Sequence, residues 1–337
     1  RQLPIDLIIN IQAQKMSVIK PEDINNQPQT VLPKKMDRSS KKNQKVKILI
    51  VDDSETIQKI LSKIITSDSN MEVVACIASP TQALEFIKTN EIDVITLDIH
   101  MPEMDGVTLL KHYIDKYPIP TVIVSSISMD EGPIVLSALE AGAIDYIQKP
   151  SLSEITSLGP VIVDKIKSAS TAKVNIRKQE KIKKNKLVIN ENDYENSLVV
   201  IGSSTGGTEA LKEVFMNFPN QIPPVLVVQH IPKHFSKAFA NRLNDMFDFV
   251  VKEAEDGDEV KKNQILIAPG GNQMKLVKSG SHLRVQINND PPVNRHSPSV
   301  DYFFYSVAEL SLPNIISVIL TGMGADGAKG MLSLKLK

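Results

Sequence analysis

Apolar runs of four to six residues recur along this chain, and several stop abruptly at a polar motif. Val46–Val51, Val73–Ala78, Val94–Leu97, Thr121–Val124 and Ile144–Ile147 have the length and composition of short buried strands, with helical stretches between them. After the first run Ser54 is placed as an N-cap, and Ile57, Ile60, Leu61, Ile64 and Ile65 follow at the spacing of one helix face. Five β/α units predict a parallel, doubly wound sheet, since parallel neighbours need a crossover and the crossover is usually a helix. Ser197–Ile201, Val225–Val228 and Ile315–Leu320 read as strands of a second sheet. A helix is predicted over Gly206–Phe218, with Leu211, Val214, Phe215 and Phe218 on one face. At 337 residues the chain has room for two such α/β domains.

Sheets of this kind bind ligands just beyond the carboxyl ends of their strands. In the first sheet those ends carry Asp52 and Asp53, Asp98, Ser125 and Lys149. Three crowded carboxylates repel one another unless a cation sits among them, and oxygen ligands without thiolates suit Mg²⁺. Beside a metal, Asp98 can act as a carboxylate nucleophile toward a phosphoryl group. Ser125 and Lys149 then offer a hydroxyl and a point charge to the phosphoryl oxygens.

In the second sheet Gly202-x-Ser204-x-Gly206 falls at a strand-to-helix turn, the context in which this pattern marks a nucleophile elbow. The amides that open the helix can stabilise a developing oxyanion. A glycine-rich turn there is also able to hold a nucleotide phosphate, although the longer dinucleotide fingerprint is absent. Among His230, His234, His282 and His296, His230 is best placed as base because it ends the run Val225–Val228; His234 reads as a surface residue at a helix start. Asp326 follows Ile315–Leu320 in a loop with three glycines and completes a Ser204–His230–Asp326 triad, while Asp256, Asp258 and Asp290 read as solvated loop residues. The chain order Ser…His…Asp differs from that of the common lipase and esterase fold and argues against it.

Charge is zero overall but unevenly spread: residues 1–45 hold 9 basic and 4 acidic side chains, and residues 173–187 hold 7 and 1. These segments lack aromatic residues and lie where linkers belong, so they read as solvated tethers rather than nucleic-acid surfaces. The expected organisation is a disordered extension over 1–45, a first domain over 46–165, a basic linker over 166–195 and a second domain over 196–337. The one cysteine, Cys76, rules out an intramolecular disulfide and is expected to fill core. No apolar run approaches the ~20 residues of a membrane span, which predicts no membrane insertion and a cytoplasmic location.

Asp52-Asp53, Asp98 with Met101-Pro102-Glu103-Met104-Asp105-Gly106, and Lys149-Pro150 resemble a response-regulator receiver domain. Downstream, Gly202-Ser203-Ser204-Thr205-Gly206-Gly207, Gln229-His230, Ile267-Ala268-Pro269-Gly270-Gly271, Pro291-Pro292-Val293-Asn294-Arg295-His296 and Gly322-Met323-Gly324-Ala325-Asp326-Gly327 resemble the chemotaxis protein-glutamate methylesterase family. That family fuses the two domains in this order, so the resemblance implies a (βα)5 flavodoxin-like receiver followed by a doubly wound, mainly parallel esterase domain.

The resemblance implies roles residue by residue. Asp98 is the phosphoacceptor, with Asp52, Asp53 and the His100 carbonyl completing a Mg²⁺ site. Ser125, Lys149 and Tyr146 act as the receiver switch. Ser204 attacks a receptor glutamate methyl ester, His230 takes its proton, Asp326 orients His230, the Met323 amide helps form the oxyanion hole, and Thr205 and Asn294-Arg295-His296 border the cleft. No cofactor is implied for the esterase. The partners implied are methyl-accepting chemotaxis receptors, whose glutamines the family also deamidates, and a chemotaxis histidine kinase as phosphodonor. The family's catalytic domain continues beyond the Asp326 motif, so the sequence reads as C-terminally truncated; the alternative function is a receiver-based signalling module with an inactive esterase domain.

Overall fold

A computed structural model describes residues 45–126, 132–172, 174, 197–233, 235–322 and 324–337. The expectations for residues 1–44 of the 1–45 extension, for most of the basic linker, for His234 and for the Met323 amide lie outside these residues.

The N-terminal domain alternates β1 (Val46–Val51), α1 (Glu55–Thr66), β2 (Met71–Ile77), α2 (Pro80–Thr89), β3 (Val94–Asp98), α3 (Gly106–Tyr113), β4 (Thr121–Ser125), α4 (Gly132–Glu140), β5 (Asp145–Gln148) and α5 (Ile155–Thr171). Its strands form one parallel sheet in the order β2-β1-β3-β4-β5. Strands β3 and β4 are buried along their whole length, as expected for central strands covered by helices on both faces. Ser54 caps α1, its side chain accepting from the Ile57 amide, and Ile60, Leu61, Ile64 and Ile65 are the buried face. Helix α5 continues to Thr171, into the stretch read as linker. Cys76 does not fill core: β2 is an edge strand, and the thiol is exposed. Alternation along a half-covered edge turns that position outward.

The C-terminal domain contains β6 (Leu198–Ser203), α6 (Gly207–Met216), β7 (Val225–Gln229), α7 (Phe235–Asn244), β8 (Val250–Glu253), β9 (Gln264–Ile267), β10 (Gln273–Ser279), β11 (His282–Asn288), α8 (Val300–Glu309), β12 (Ile315–Ile319) and α9 (Ala328–Lys335). Five strands form a second parallel sheet, ordered β12-β6-β7-β9-β8, while β10 and β11 pair as a separate antiparallel hairpin. Val300, Phe303, Phe304 and Val307 of α8 are buried against one face of this sheet. A Cβ on Gly202 would sit 2.3 Å from Val300, so glycine is what lets α8 approach β6 this closely.

An apolar cluster joins the two domains. Leu136 and Leu139 of α4 belong to the same buried cluster as Phe239 and Leu243 of α7, and the Tyr146 and Phe235 rings stack with centroids 4.3 Å apart. Around this seam Glu140 accepts from Arg242 Nε at 3.0 Å and from Lys212 Nζ at 3.2 Å, and Arg295 pairs with Asp164 at 3.3 Å.

Candidate functional site

At the carboxyl edge of the first sheet, carboxylate oxygens of Asp52, Asp53 and Asp98 all lie within 4.8 Å of one another. Asp52 and Asp98 are almost wholly buried. Lys149, entering from the end of β5, places Nζ 2.7 Å from Asp98 and 3.1 Å from Asp52. Its amide is held by the Ser125 carbonyl, and Ser125 itself is buried at the end of β4. Burial raises the pKa of Asp98, with Lys149 and the His100 amide only partly opposing it. Asp52 is raised as well, by burial and then by repulsion from Asp98, against the Ser54 amide and Lys149. Oδ2 of Asp52 is buried, and the Lys149 ammonium at 3.1 Å faces it as an ion pair without hydrogen-bond geometry. Three carboxylates against one ammonium leave surplus negative charge, and an oxygen-only donor set of this kind fits a hard divalent cation.

The loop beneath Asp98 is built for close approach. Asp105 caps α3 by accepting from the Thr108 amide at 2.8 Å, and a Cβ on Gly106 would lie 2.0 Å from the Asp98 carbonyl oxygen. Tyr146 sits apart from the carboxylates, with its ring on Phe235 and its hydroxyl buried without a partner among the described residues.

In the second sheet three adjacent strands deliver three side chains. Ser203 and Gln229 are register partners of β6 and β7, so the residues that follow them, Ser204 and His230, are neighbours. Strand β12 flanks β6 on the other side, and the loop after it carries Asp326. His230 Nδ1 lies 2.9 Å from Ser204 Oγ, and His230 Nε2 lies 2.7 Å from Asp326 Oδ2. With Asp326 ionised, Nε2 carries the proton and Nδ1 is left as acceptor for the serine hydroxyl.

Asp326 is nearly buried at the start of α8. It accepts from the Val300 amide on Oδ2 at 2.8 Å, and on Oδ1 from Ser299 Oγ at 2.8 Å, Asn294 Nδ2 at 2.7 Å and the Asp301 amide at 3.2 Å. Burial works against its charge, but the hydrogen bonds from His230, Asn294 and Ser299 outweigh it and hold the carboxyl well below the usual carboxylate range. Gly206 has φ of 72°, a left-handed turn that glycine adopts without strain, and α6 starts at the next residue. Thr205 is buried beside Ser204, its carbonyl accepting from Thr321 Oγ1 at 3.0 Å.

The remaining candidates separate cleanly. His282 pairs with Glu259 at 2.9 Å on the hairpin, away from the triad. Asp256 and Asp258 are not idle in solvent: Asp256 accepts from the Ile287 amide at 2.9 Å, and Asp258 pairs with Lys252 at 3.0 Å. Asp290 accepts from the Tyr302 hydroxyl. His296 joins the site, its ring stacked on His230 with centroids 3.6 Å apart and planes 6° from parallel.

Gln229, quoted in a motif but given no role, is 2 % exposed. Its Nε2 donates to the Ser204 carbonyl at 2.9 Å and to the His230 carbonyl at 3.2 Å, while its Oε1 accepts from Ser203 Oγ at 2.6 Å. A polar residue closing an apolar strand is the signal that could have singled it out.

Residues 48–158 match the response regulator receiver domain family, and residues 199–337 match the CheB methylesterase family. The chain is 41% identical over 297 residues to a protein-glutamate methylesterase/protein-glutamine glutaminase of Salmonella typhimurium, covering 86% of this chain and 84% of that one. It is 43% identical over 302 residues to the protein of the same name from Thiobacillus denitrificans, with the same coverage of 86% and 84%. Among solved structures, the CheB methylesterase catalytic domain of Thermotoga maritima is similar at 41% identity and a TM-score of 0.41, over 42% of this chain and 75% of that one.

Proposed function

The chain belongs to the protein-glutamate methylesterase/protein-glutamine glutaminase family, and from that membership we propose how its two sites divide the work. The enzyme hydrolyses methyl esters of glutamate side chains on chemotaxis receptors and deamidates receptor glutamines, under control of its receiver domain. The observation that carries the assignment of roles is the linked Ser204–His230–Asp326 geometry.

Ser204 Oγ attacks the ester carbonyl as His230 Nδ1 takes its proton. Asp326 holds the Nε2–H and stabilises the imidazolium that forms. The charge on the carbonyl oxygen develops beside the opening amides of α6, with Thr205 and the Met323 amide assigned to the oxyanion hole. Collapse expels methanol, which takes the proton back from His230. Water, activated by the same imidazole, then releases the acyl group as a glutamate carboxylate. A glutamine substrate follows the same course with ammonia as leaving group.

In the receiver domain Asp98 accepts the phosphoryl group from a chemotaxis histidine kinase. Asp52, Asp53, Asp98 and the His100 carbonyl would hold Mg²⁺, which when bound neutralises carboxylate and phosphoryl charge. Lys149, now paired with Asp98, and Ser125 would turn to the phosphoryl oxygens. The Asp164–Arg295 pair joins the receiver to the Asn294–His296 turn and the Tyr146–Phe235 stack joins it to α7, supporting control by docking: phosphorylation shifts the population toward an undocked, accessible cleft.

The test is methanol release from methylated receptor membranes by the full chain with Mg²⁺ and a small acyl phosphate. Release that rises with the acyl phosphate and vanishes in Ser204→Ala is expected. Release that survives Ser204→Ala overturns the assignment of the nucleophile.

A further inference from the structure

Four residues, Val293 to His296, form a tight turn closed by reciprocal backbone hydrogen bonds: Val293 N to His296 O at 3.0 Å and His296 N to Val293 O at 2.9 Å. Its two central residues are left-handed, Asn294 at φ 51° and Arg295 at φ 69°. Asparagine enters that region readily; arginine does so only where the surroundings impose it. Three hydrogen bonds brace the turn here. Asn294 Nδ2 bridges Asp326 Oδ1 at 2.7 Å and Asp301 Oδ2 at 2.8 Å, and the buried Gln273 donates to the His296 carbonyl at 3.0 Å. Asp301 is in turn tied to α9 by the Gly330 amide at 2.7 Å. Braced strain of this kind, beside reacting groups, points to a functional constraint.

What the turn delivers is the imidazole of His296, laid flat on that of His230. Resting on the proposed triad, we propose that His296 is a positioning residue for the base: an uncharged flat ring that seats one face of the His230 imidazole. It keeps Nδ1 on Ser204 and Nε2 on Asp326 while the ring gains and loses its proton. The contact recorded for the ring is its face, lying flat on His230. Burial, then the neighbouring His230, pushes its pKa down to about 3, which leaves it neutral when His230 becomes imidazolium. A neutral aromatic face favours an adjacent cation, whereas a second imidazolium there would oppose the proton transfer. The stack also resists rotation about the His230 side chain, the motion that would exchange Nδ1 for a carbon.

The test uses the full chain with Mg²⁺ and acyl phosphate, methylated receptor membranes over a range of concentrations, and three variants. Ser204→Ala must abolish turnover; if it does not, the underlying triad reading fails irrespective of His296. His296→Ala is expected to lower kcat about 10- to 100-fold, the scale of a misplaced catalytic group, with KM changed less than about twofold. His296→Phe, which keeps the flat ring and removes the nitrogens, is expected to restore kcat to within about threefold of the parent. Acceptance of phosphate at Asp98 and an unchanged melting temperature show that each variant is folded. Parent-like kcat in His296→Ala overturns the proposal, as does a loss confined to KM. A folded His296→Phe as impaired as His296→Ala also overturns it, since the nitrogens rather than the face would then matter.

Discussion

Replacing Asp326 by asparagine keeps the side chain's size but converts one acceptor oxygen into a donor. Five donors converge on the carboxylate: His230 Nε2 and the Val300 amide on Oδ2, and Asn294 Nδ2, Ser299 Oγ and the Asp301 amide on Oδ1. If the new amide nitrogen takes the Oδ1 place, three donors are opposed; in the Oδ2 place only two are. The second orientation therefore wins. His230 escapes the clash by moving its proton to Nδ1 and accepting on Nε2, which leaves only the Val300 amide unsatisfied. One buried donor without a partner costs about 1–3 kcal/mol, or a melting temperature lower by roughly 2–12 °C for a domain of this size. The catalytic cost is larger, because protonated Nδ1 can no longer accept from Ser204, and a wrong-tautomer base lowers kcat on the order of 10⁴-fold. The assay is single-turnover methanol release alongside thermal melting. An Asp326→Asn chain that melts within this range yet keeps kcat within about tenfold of the parent would refute the tautomer argument.

Two further outcomes follow from charges already described. Glu140 is only partly buried in its contacts with Arg242 and Lys212, so the cluster contributes at most about 1 kcal/mol to docking. Glu140→Gln should accordingly raise methanol release without phosphodonor by no more than about fivefold, leaving the phosphorylated maximum unchanged; a larger rise would mean that this pair dominates the seam. The second outcome concerns pH. Asp326, depressed in the fold, contributes stability that is present above the unfolded carboxylate value near pH 4 and fades as pH falls through the lower folded value. Asp52 and Asp98, raised in the fold, do the opposite, costing stability once both are ionised. Melting of the N-terminal domain in chelator should thus rise as pH is lowered toward the ordinary carboxylate value near 4, and Mg²⁺ should raise it at pH 7; no response to either would speak against the cation site.

The parts of the structure legible in the sequence are those where local pattern and sheet topology coincide. Asp98 ends a buried strand, Ser204 and His230 each lie just past one, and Asp326 lies in the loop after the half-buried edge strand β12; parallel sheets collect such positions at one edge. The strand runs and the α1 face needed only hydrophobic period. Cys76 departs from the expectation because a run of apolar residues does not reveal whether its strand lies at the centre or at the edge. His296 and Asn294 were placed no more finely than at the cleft border. They reach the triad through a turn whose left-handed φ Asn294 permits but Arg295 does not announce, and through braces from Asp301, seven residues on from Asn294, and from the more distant Gln273. Gln229 is hidden differently: two of its three partners are backbone carbonyls, which carry no residue identity.

The seam between the domains has a thermal consequence. Its centre is apolar, Leu136 and Leu139 in one buried cluster with Phe239 and Leu243, and the Tyr146 ring on Phe235, with the ionic contacts at the margin. Association through such surface is driven largely by solvent entropy near room temperature and carries a negative heat capacity change, so it slackens as the solution cools. Under the proposed control by docking, a gate closed in this way is tightest in warmth and leaks in the cold, so the response to a phosphodonor would depend on temperature.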